Sequence, residues 1–272
     1  MRSKGSARGR VARLVAGAGT VEIKATIPQK QIKSGLARFG LSESNTEQRF
    51  IYFFDTPDLS LFRAGVIARA RRIVGQQHDT TIKIRPVQPE NVPAKWHEER
   101  GFKIEADASE RSVVRSASLT KAVAKGLIKR VGAGNEPMKS LLHERQELFL
   151  LEMAPGRYDF AKLVVLGPIE AWRWKFVDPG LPWPITAELW KREDGAIILE
   201  VSTKTPVAQA AAAGAGFFAF LRELGAKRDN LQEAKTRWAL DYYASKLRGG
   251  IKRKRPLRAP KKGRVRRNPS KK

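Results

Sequence analysis

Seven stretches of this chain alternate apolar residues with charged ones, which is the pattern of β-strands that each have one apolar and one ionic face. Successive side chains of a strand point to opposite sides, so each stretch separates its charges from its apolar side chains. The charged positions are Glu22, Lys24, Arg69, Arg71, Lys83, Arg85, Lys103, Glu105, Arg173, Lys175, Glu188 and Glu200. Laid side by side, these stretches form a sheet surface on which cations outnumber carboxylates, and such a surface suits a polyanion bound together with a divalent metal ion.

An open antiparallel sheet with one face in water would produce the same alternation. Two observations argue against this simpler interpretation. The cations are too many for cross-strand carboxylates to neutralise, and like charges opposite each other destabilise a sheet. The stretches also come from the whole length of the chain. We therefore expect the ionic faces to form a binding surface and the helices to cover the apolar faces. The ionic faces would line a tunnel if the sheet closes and would face water if it stays open.

The charge of the chain predicts an anionic partner. With 53 Lys and Arg against 27 Asp and Glu, the formal net charge is +26 at pH 7, which favours phosphates, nucleic acid or an anionic surface. Residues 1–18 and 248–272 are predicted to be disordered, and residues 19–247 to form one domain. The basic tail, 252–272, has no aromatic residue, so it could bind nucleic acid only non-specifically, through its charge.

Several classes of function are excluded or disfavoured by composition. The chain has no cysteine and only three histidines, which rules out disulfides and thiolate chemistry and argues against a zinc site. No apolar run approaches the roughly 20 residues that span a bilayer, so no membrane association is expected and the predicted location is cytoplasmic. Asp55 and Asp58 flank a Pro-containing turn, where capping is a simpler role than paired-carboxylate catalysis.

Alternation, helical periodicity and turn residues predict the remaining elements. Strands are predicted over residues 20–27, 49–54, 66–74, 80–86, 101–107, 148–153, 172–177, 185–191 and 196–203. Helices are predicted over residues 28–38, 59–64, 119–131, 137–146, 207–224 and 230–247. Asp194-Gly195 is a hairpin turn signal between the last two strands.

The order of these motifs resembles that of the CYTH superfamily, the triphosphate tunnel metalloenzymes. Thr20-Val21-Glu22-Ile23-Lys24 is similar to the signature strand of the family, whose usual pattern is Glu-x-Glu-x-Lys. The segment 52–59, followed by Gly65 and the Arg69/Arg71 strand, resembles the next family segment. Further matching positions, over roughly residues 20–245, are Lys83, Lys103, Glu105, Arg173, Glu188, Glu200 and, more weakly, Lys235-Thr236.

The resemblance implies an α+β fold, in which an antiparallel eight-stranded closed β-barrel has helices packed outside. It implies a hydrolase of triphosphate compounds (tripolyphosphate, nucleoside or thiamine triphosphate) that uses Mg²⁺ or Mn²⁺. The phosphate-binding residues would be Lys24, Arg69, Arg71, Lys83, Arg85, Lys103, Arg173 and Lys175. The metal ligands would be Glu22, Glu188 and Glu200, and the catalytic residues would be Glu22, Lys24, Glu188 and Glu200.

Two positions depart from the family pattern. Thr20 stands where the first Glu is expected, and Ser202 stands where the last strand commonly has a second acid. Both departures remove negative charge from the metal end, so an alternative function is non-catalytic binding of polyphosphate or nucleic acid. A second alternative is cyclisation of ATP, as in class IV-type adenylate cyclases, which needs the same phosphate cradle.

Overall fold

Nine β-strands close into a barrel in the part of the chain that the computed structural model describes, which comprises residues 17–109, 112–154, 156, 158–223 and 235–253. The strands are β1 (Thr20–Ile27), β2 (Glu47–Asp55), β3 (Val66–Ile73), β4 (His78–Ile84), β5 (Phe102–Ala108), β6 (Val113–Val123), β7 (Val164–Asp178), β8 (Leu181–Lys191) and β9 (Ile197–Pro206). Their spatial order is β1-β5-β6-β4-β3-β2-β7-β8-β9, and β9 pairs with β1 to complete the ring.

The predicted closed barrel with external helices is confirmed, and two details of the prediction are corrected. The described residues form nine strands rather than eight. Among the pairs of neighbouring strands in this part of the chain, β1 and β5 run parallel, and the other pairs run antiparallel. Closure leaves no strand edge in the ring, so the inner and outer faces of the sheet have different environments.

The helix predicted over residues 119–131 is only partly correct: residues 119–123 belong to β6, and a helix begins at Leu127. β6 pairs with β4 on one side and β5 on the other. Ala117 and Leu119 lie on the outer face of the strand and are fully buried in the apolar core. Ser118 and Thr120 lie on the inner face and line the interior of the barrel. The alternation is therefore present, but its inner positions here carry hydroxyl groups instead of the charges that identified the other strands.

The strand predicted over residues 148–153 is also wrong, because this apolar run belongs to a helix, Glu144–Met153. Phe149 and Leu150 are buried, while Leu148 and Leu151 are 44% and 50% exposed. Buried Gln146 fixes the helix to the barrel by donating from Nε2 to the backbone oxygens of two strands, at 3.1 and 3.0 Å. A short continuous apolar run fits a strand or a helix equally well, so its periodicity did not distinguish them.

Seven α-helices surround the barrel within the described ranges. They are α1 (Ile32–Arg38), α2 (Ser60–Arg63), α3 (Ala94–His97), α4 (Leu127–Gly132), α5 (Glu144–Met153), α6 (Ala210–Glu223) and α7 (Lys235–Arg253). Short 3₁₀ turns occur at Gln29–Gln31, Glu43–Asn45, Pro89–Asn91, Met138–Leu141, Phe160–Lys162 and Val207–Gln209. No helix of these ranges combines the length and apolar character that crossing a bilayer requires.

The apolar core lies between the outer wall of the barrel and these helices. α5 packs on β4 and β6, α6 packs on β1, β8 and β9, and α7 packs on β7. In α6, Ala213, Phe217, Phe220 and Leu221 recur every three or four residues and are buried against the wall. Full burial of a side chain such as Phe217 contributes about 1.5–3 kcal/mol, so the outer face holds the barrel together and leaves its inner face available for polar groups.

The predicted chain termini fall largely outside the described residues. The last helix was predicted to end at residue 247, but α7 continues to Arg253 and so includes the first residues of the predicted tail. Residues 1–16, residues 254–272 and the start of the helix predicted at 230 lie outside the described residues.

Candidate anion-binding tunnel

The charged positions of the alternating strands point into the barrel, because the outer positions are taken up by packing against the helices. In β1, Val21 and Ile23 are 1% and 2% exposed and belong to the outer core. Glu22 and Lys24, on the other face of the same strand, line a cavity of about 900 Å³ inside the barrel. One face of the strand therefore packs in the outer core, and the other carries charged side chains that line the cavity, as the alternation predicts.

All the site residues selected from the sequence line this cavity. They are Glu22, Lys24, Arg69, Arg71, Lys83, Arg85, Lys103, Arg173, Lys175, Glu188 and Glu200. Residues that are far apart in the sequence are therefore brought to one lumen. The catalytic, phosphate-binding and metal-binding roles assigned to them remain predictions.

Further charged side chains of the cavity were not selected as site residues from the sequence. These are Glu47, Arg49, Asp79, Glu105, Asp107, Lys204 and Lys235. Asp79 and Asp107 continue the alternation of Lys83 and Lys103 four residues away. Asp107 lies at the end of the predicted strand 101–107, and Asp79 lies one residue before the predicted strand 80–86, so following the alternation would have found both. Lys235 lies at the start of a helix, where strand alternation gives no signal, and only the weak resemblance of its segment pointed to it.

The described wall of the cavity is more positive than negative, with eleven Lys and Arg against seven Asp and Glu. Several of these charges form ion pairs. Arg71 donates from Nε and Nη2, on one edge of its guanidinium, to the two carboxylate oxygens of Asp79, at 2.8 and 2.7 Å. Arg173 lies 3.6 Å from Glu47, which also pairs with Arg49. These pairs hold their members in place, because a buried charge is costly without a partner.

Asp107 bridges two lysines of the predicted phosphate-binding set. One of its oxygens is 2.9 Å from Lys24 Nζ, and the other is 2.9 Å from Lys83 Nζ. Burial alone would raise the pKa of Asp107, but Lys24 and Lys83 outweigh it and hold that pKa well below its usual value. The carboxylate therefore stays ionised and fixes the spacing of the two ammonium groups.

Glu188 and Glu200 share one cation. They lie directly opposite each other on β8 and β9, and Lys235 Nζ contacts both carboxylates, at 2.8 Å from Glu200. Burial would raise the pKa of Glu188, but Lys235, with a smaller contribution from Arg49, lowers it to about 2. The pKa of Lys235 is raised, because its two carboxylates outweigh the effect of burial. Lys235 thus offsets the repulsion between these two carboxylates.

Four cations of the lumen have no hydrogen bond or ion pair with the described residues. They are Arg69, Arg85, Lys103 and Lys175. The Nε atom of Arg69 is buried without a partner. Burial, together with the nearby Arg71, lowers the pKa of Arg69 to about 10. These unpaired cations are the groups in the lumen best prepared to accept an anionic ligand.

The two departures from the family pattern lie in different environments. Ser202 lines the cavity, and its Oγ donates to Glu22 Oε1 at 3.0 Å. A hydroxyl group therefore occupies a position beside Glu22 where an acid was expected. Thr20 is not among the residues that line the cavity. The change at residue 202 thus affects the lumen directly.

The fold and the lumen together define a class of protein, the closed β-tunnels with an ionic interior. Among solved structures, the chain is similar to a candidate adenylate cyclase from Bacillus halodurans, at 12% identity and a TM-score of 0.55, over 80% of this chain and 98% of that one. It is also similar to HpAC1 from Hippeastrum, described as a candidate adenylyl cyclase with a dominant triphosphatase activity, at 17% identity and a TM-score of 0.55. That match covers 84% of this chain and 95% of the Hippeastrum chain.

No protein-family model and no curated protein sequence matches the chain. At 12–17% identity, the likeness to solved structures is one of fold. It confirms the closed-barrel fold with external helices that the sequence resemblance implied.

The predicted metal ligands fall into two groups. Glu188 and Glu200 contact the same cation, Lys235, whereas Glu22 contacts Lys24 at 3.0 Å. The described residues contain no cluster of three or more Asp, Glu or His side chains that could hold a metal ion. Magnesium is commonly held by one or two carboxylates, with phosphate oxygens and water completing its coordination. As a pair, Glu188 and Glu200 fit an ion of this kind, and Glu22 remains a predicted ligand.

Proposed function

We propose that this protein binds a linear triphosphate inside the tunnel and hydrolyses it, with Mg²⁺ or Mn²⁺ as cofactor. The observation that carries the proposal is the convergence of Arg69, Arg85, Lys103 and Lys175, all unpaired within the described residues, on one cavity of about 900 Å³. An anion of several negative charges is the ligand that such a lumen fits. The triphosphatase activity named for the similar Hippeastrum protein supports the same conclusion.

The chemistry of phosphoryl transfer suits this lumen. Positioning of the phosphate chain and stabilisation of the charge that develops on its oxygens account for most of the catalysis. Arg69 and Arg85 would bind phosphate oxygens through planar guanidinium groups, and Lys24 and Lys83, held apart by Asp107, would bind them through ammonium groups. A divalent ion bound at Glu188 and Glu200 would supply further positive charge beside the reacting phosphate.

The test is release of phosphate by the purified full-length chain. Tripolyphosphate, ATP and thiamine triphosphate are each incubated with Mg²⁺, Mn²⁺ or EDTA, and inorganic phosphate is measured. We expect metal-dependent release from at least one of them. Formation of cyclic AMP and pyrophosphate from ATP would instead indicate the cyclase, whereas binding of tripolyphosphate without any turnover would contradict the hydrolase.

Variants at the acids test their predicted roles. Glu22→Gln and Glu200→Gln preserve the shape of the side chain and remove its charge, so each should lower the rate of hydrolysis at least about tenfold. Glu193→Gln is a matched control, because Glu193 pairs with exposed Lys246 at 2.6 Å and does not line the cavity. Equal rates in all three variants would rule out the metal-binding and catalytic roles of Glu22 and Glu200.

A second candidate function, binding without turnover, is favoured by the hydroxyl group at residue 202. Ser202 leaves the lumen with one acid fewer than the family pattern, and its hydrogen bond occupies Glu22. This function predicts tight tripolyphosphate binding in EDTA that is unchanged in Glu200→Gln. Isothermal titration of the wild type and Glu200→Gln measures this binding. The phosphate-release assay separates the two functions, because the hydrolase requires turnover in the wild type and its loss in the variant.

A further inference from the structure

Lys235 occupies a position between two carboxylates that a metal ion would also need. It is the first described residue of α7, and only 14% of its side chain is exposed. Its Nζ contacts the carboxylates of Glu188 and Glu200 and lies 4.9 Å from the centre of the Trp190 ring. The ammonium group is therefore enclosed on two sides by negative charge and on a third by an aromatic face.

The two carboxylates depend on this lysine. Because Glu188 and Glu200 are directly opposite each other on neighbouring strands, they repel unless a cation lies between them. In the described part of the chain, Glu188 has a second and longer contact, with Arg49 at 3.7 Å, whereas Glu200 pairs with Lys235. The position thus requires a cation, and the chain itself supplies one.

We propose that Lys235 is an exchangeable counter-ion, which blocks divalent-metal binding at Glu188 and Glu200 until a triphosphate draws its ammonium group away. This inference rests on the proposed function. Two cations cannot occupy the same point between the carboxylates, so the affinity for a metal ion is lowered by the free energy needed to displace the lysine. The lysine has a flexible four-carbon stem, and phosphate oxygens in the lumen offer its ammonium group new partners.

The consequence is an order of binding. Without a phosphate ligand, the lysine remains on the carboxylates and the protein binds divalent ions weakly. With a phosphate ligand bound, Lys235 contacts phosphate oxygens, and the carboxylates of Glu188 and Glu200 become available to the metal ion. Metal binding and triphosphate binding are therefore coupled through a residue of this chain.

Metal titrations without any phosphate test the proposal. Binding of Mn²⁺ is measured by the electron paramagnetic resonance signal of the free ion, with the full-length wild type and with Lys235→Met, Lys235→Arg and Lys204→Met. Lys204 is the matched control, because it lines the same cavity and pairs with Glu105, outside the predicted metal ligands. Removal of this second lysine reports the general effect of one positive charge fewer.

We expect Lys235→Met to bind Mn²⁺ at least about tenfold more tightly than the wild type, Lys235→Arg to resemble the wild type, and Lys204→Met to change by less than about threefold. The gain should disappear in Lys235→Met/Glu200→Gln. If Lys235→Met destabilises the protein, Mn²⁺ should still raise its Tm more than that of the wild type.

The proposal is overturned if the wild type and Lys235→Met bind Mn²⁺ equally, or if Lys204→Met gains as much as Lys235→Met. These titrations contain no triphosphate, so their result is separate from that of the hydrolysis assay. A protein that fails to hydrolyse any triphosphate contradicts the proposed function but leaves the competition at Glu188 and Glu200 measurable.

Discussion

At the scale of single residues, the lumen contains two kinds of cation, those held by a carboxylate and those without one. Arg71 and Arg69 are two residues apart on β3 and represent the two kinds. Arg71 makes a two-point ion pair with Asp79, and Arg69 has no ion pair within the described residues. The ion pair of Arg71 supports the fold, whereas Arg69 has no carboxylate partner to lose and is available to a ligand, so substitutions of the two should have different effects.

Replacing each arginine with Met tests this difference. Arg69→Met should lower the affinity for tripolyphosphate about 10–100-fold, since a hydrogen bond to a charged group contributes about 1.5–3 kcal/mol. Its free energy of unfolding should not fall, because the lost cation had like-charged neighbours. Arg71→Met should destabilise the protein by about 1–3 kcal/mol, since Asp79 loses its partner. Titration calorimetry and urea unfolding measure both effects, and equal stability of the two variants would contradict this division.

The low pKa of Glu188 predicts a pH dependence of stability. A carboxyl whose pKa is lower in the folded state stabilises the protein above the pKa of the unfolded state, about 4.3 for Glu. That stabilisation is lost as the pH falls from there to the folded-state pKa of about 2. The difference in unfolding free energy between wild type and Glu188→Gln, up to about 3 kcal/mol at pH 7, should therefore shrink between pH 4 and pH 2. Urea unfolding at several pH values checks it, and a constant difference would refute the assigned cause.

At the scale of elements, the strands that the sequence predicted best are those whose inner positions are charged. Glu22 and Lys24 in β1, or Arg69 and Arg71 in β3, alternate clearly with apolar residues, and their strands were predicted to within a few residues. β6 was missed because serine and threonine occupy its inner positions. Helix α5 was missed because its apolar run has no clear period, and only its packing against β4 and β6 decides its conformation.

The Pro-containing turn after Asp55 predicted that this residue caps a helix instead of taking part in catalysis. Asp55 lies outside the cavity, and its carboxylate accepts from the backbone N–H groups of Thr56, Leu61 and Phe62 at 2.7, 2.8 and 2.9 Å, so it caps α2 as the Pro-containing turn predicted. Asp55→Ala should lower the free energy of unfolding by about 1–3 kcal/mol, because buried donors lose their acceptor.

The affinity of Asp55→Ala for tripolyphosphate should equal that of the wild type, since the substitution leaves the lumen unchanged. Asp55→Asn is the matched control, because it retains one acceptor oxygen and should lose less stability. Thermal unfolding and titration calorimetry measure the two properties. A variant that keeps its stability but loses its ligand would place Asp55 in the site instead.

At the scale of the whole molecule, closure of the barrel brings the charged faces of seven separate stretches of sequence around one lumen. The sequence alone predicted which residues face inward, and the family resemblance predicted that the sheet closes. Neither could predict the contacts across the lumen, such as Lys235 between Glu188 and Glu200, because these depend on how α7 is placed against the barrel. Strand alternation predicts a face, whereas the partners on that face follow from the three-dimensional arrangement.

The distribution of charge predicts that the lumen and the C-terminal segment act separately. The described residues that line the cavity lie between Glu22 and Thr236, whereas residues 254–272 contain no acid and many Lys and Arg. A chain that ends at Arg253 should therefore keep its affinity for tripolyphosphate and lose part of its salt-sensitive binding to nucleic acid. Titrations with tripolyphosphate and with random-sequence DNA at two salt concentrations measure both. Loss of tripolyphosphate binding on truncation would place that site outside the barrel.

The position of a bound triphosphate tests the central claim most directly. A crystal structure of the full-length protein grown with tripolyphosphate would locate the phosphate chain. We predict that its phosphorus atoms lie inside the barrel, with oxygens within hydrogen-bond distance of Arg69 and Lys83. A phosphate chain bound only on the outer surface, with the lumen unchanged, would contradict the account.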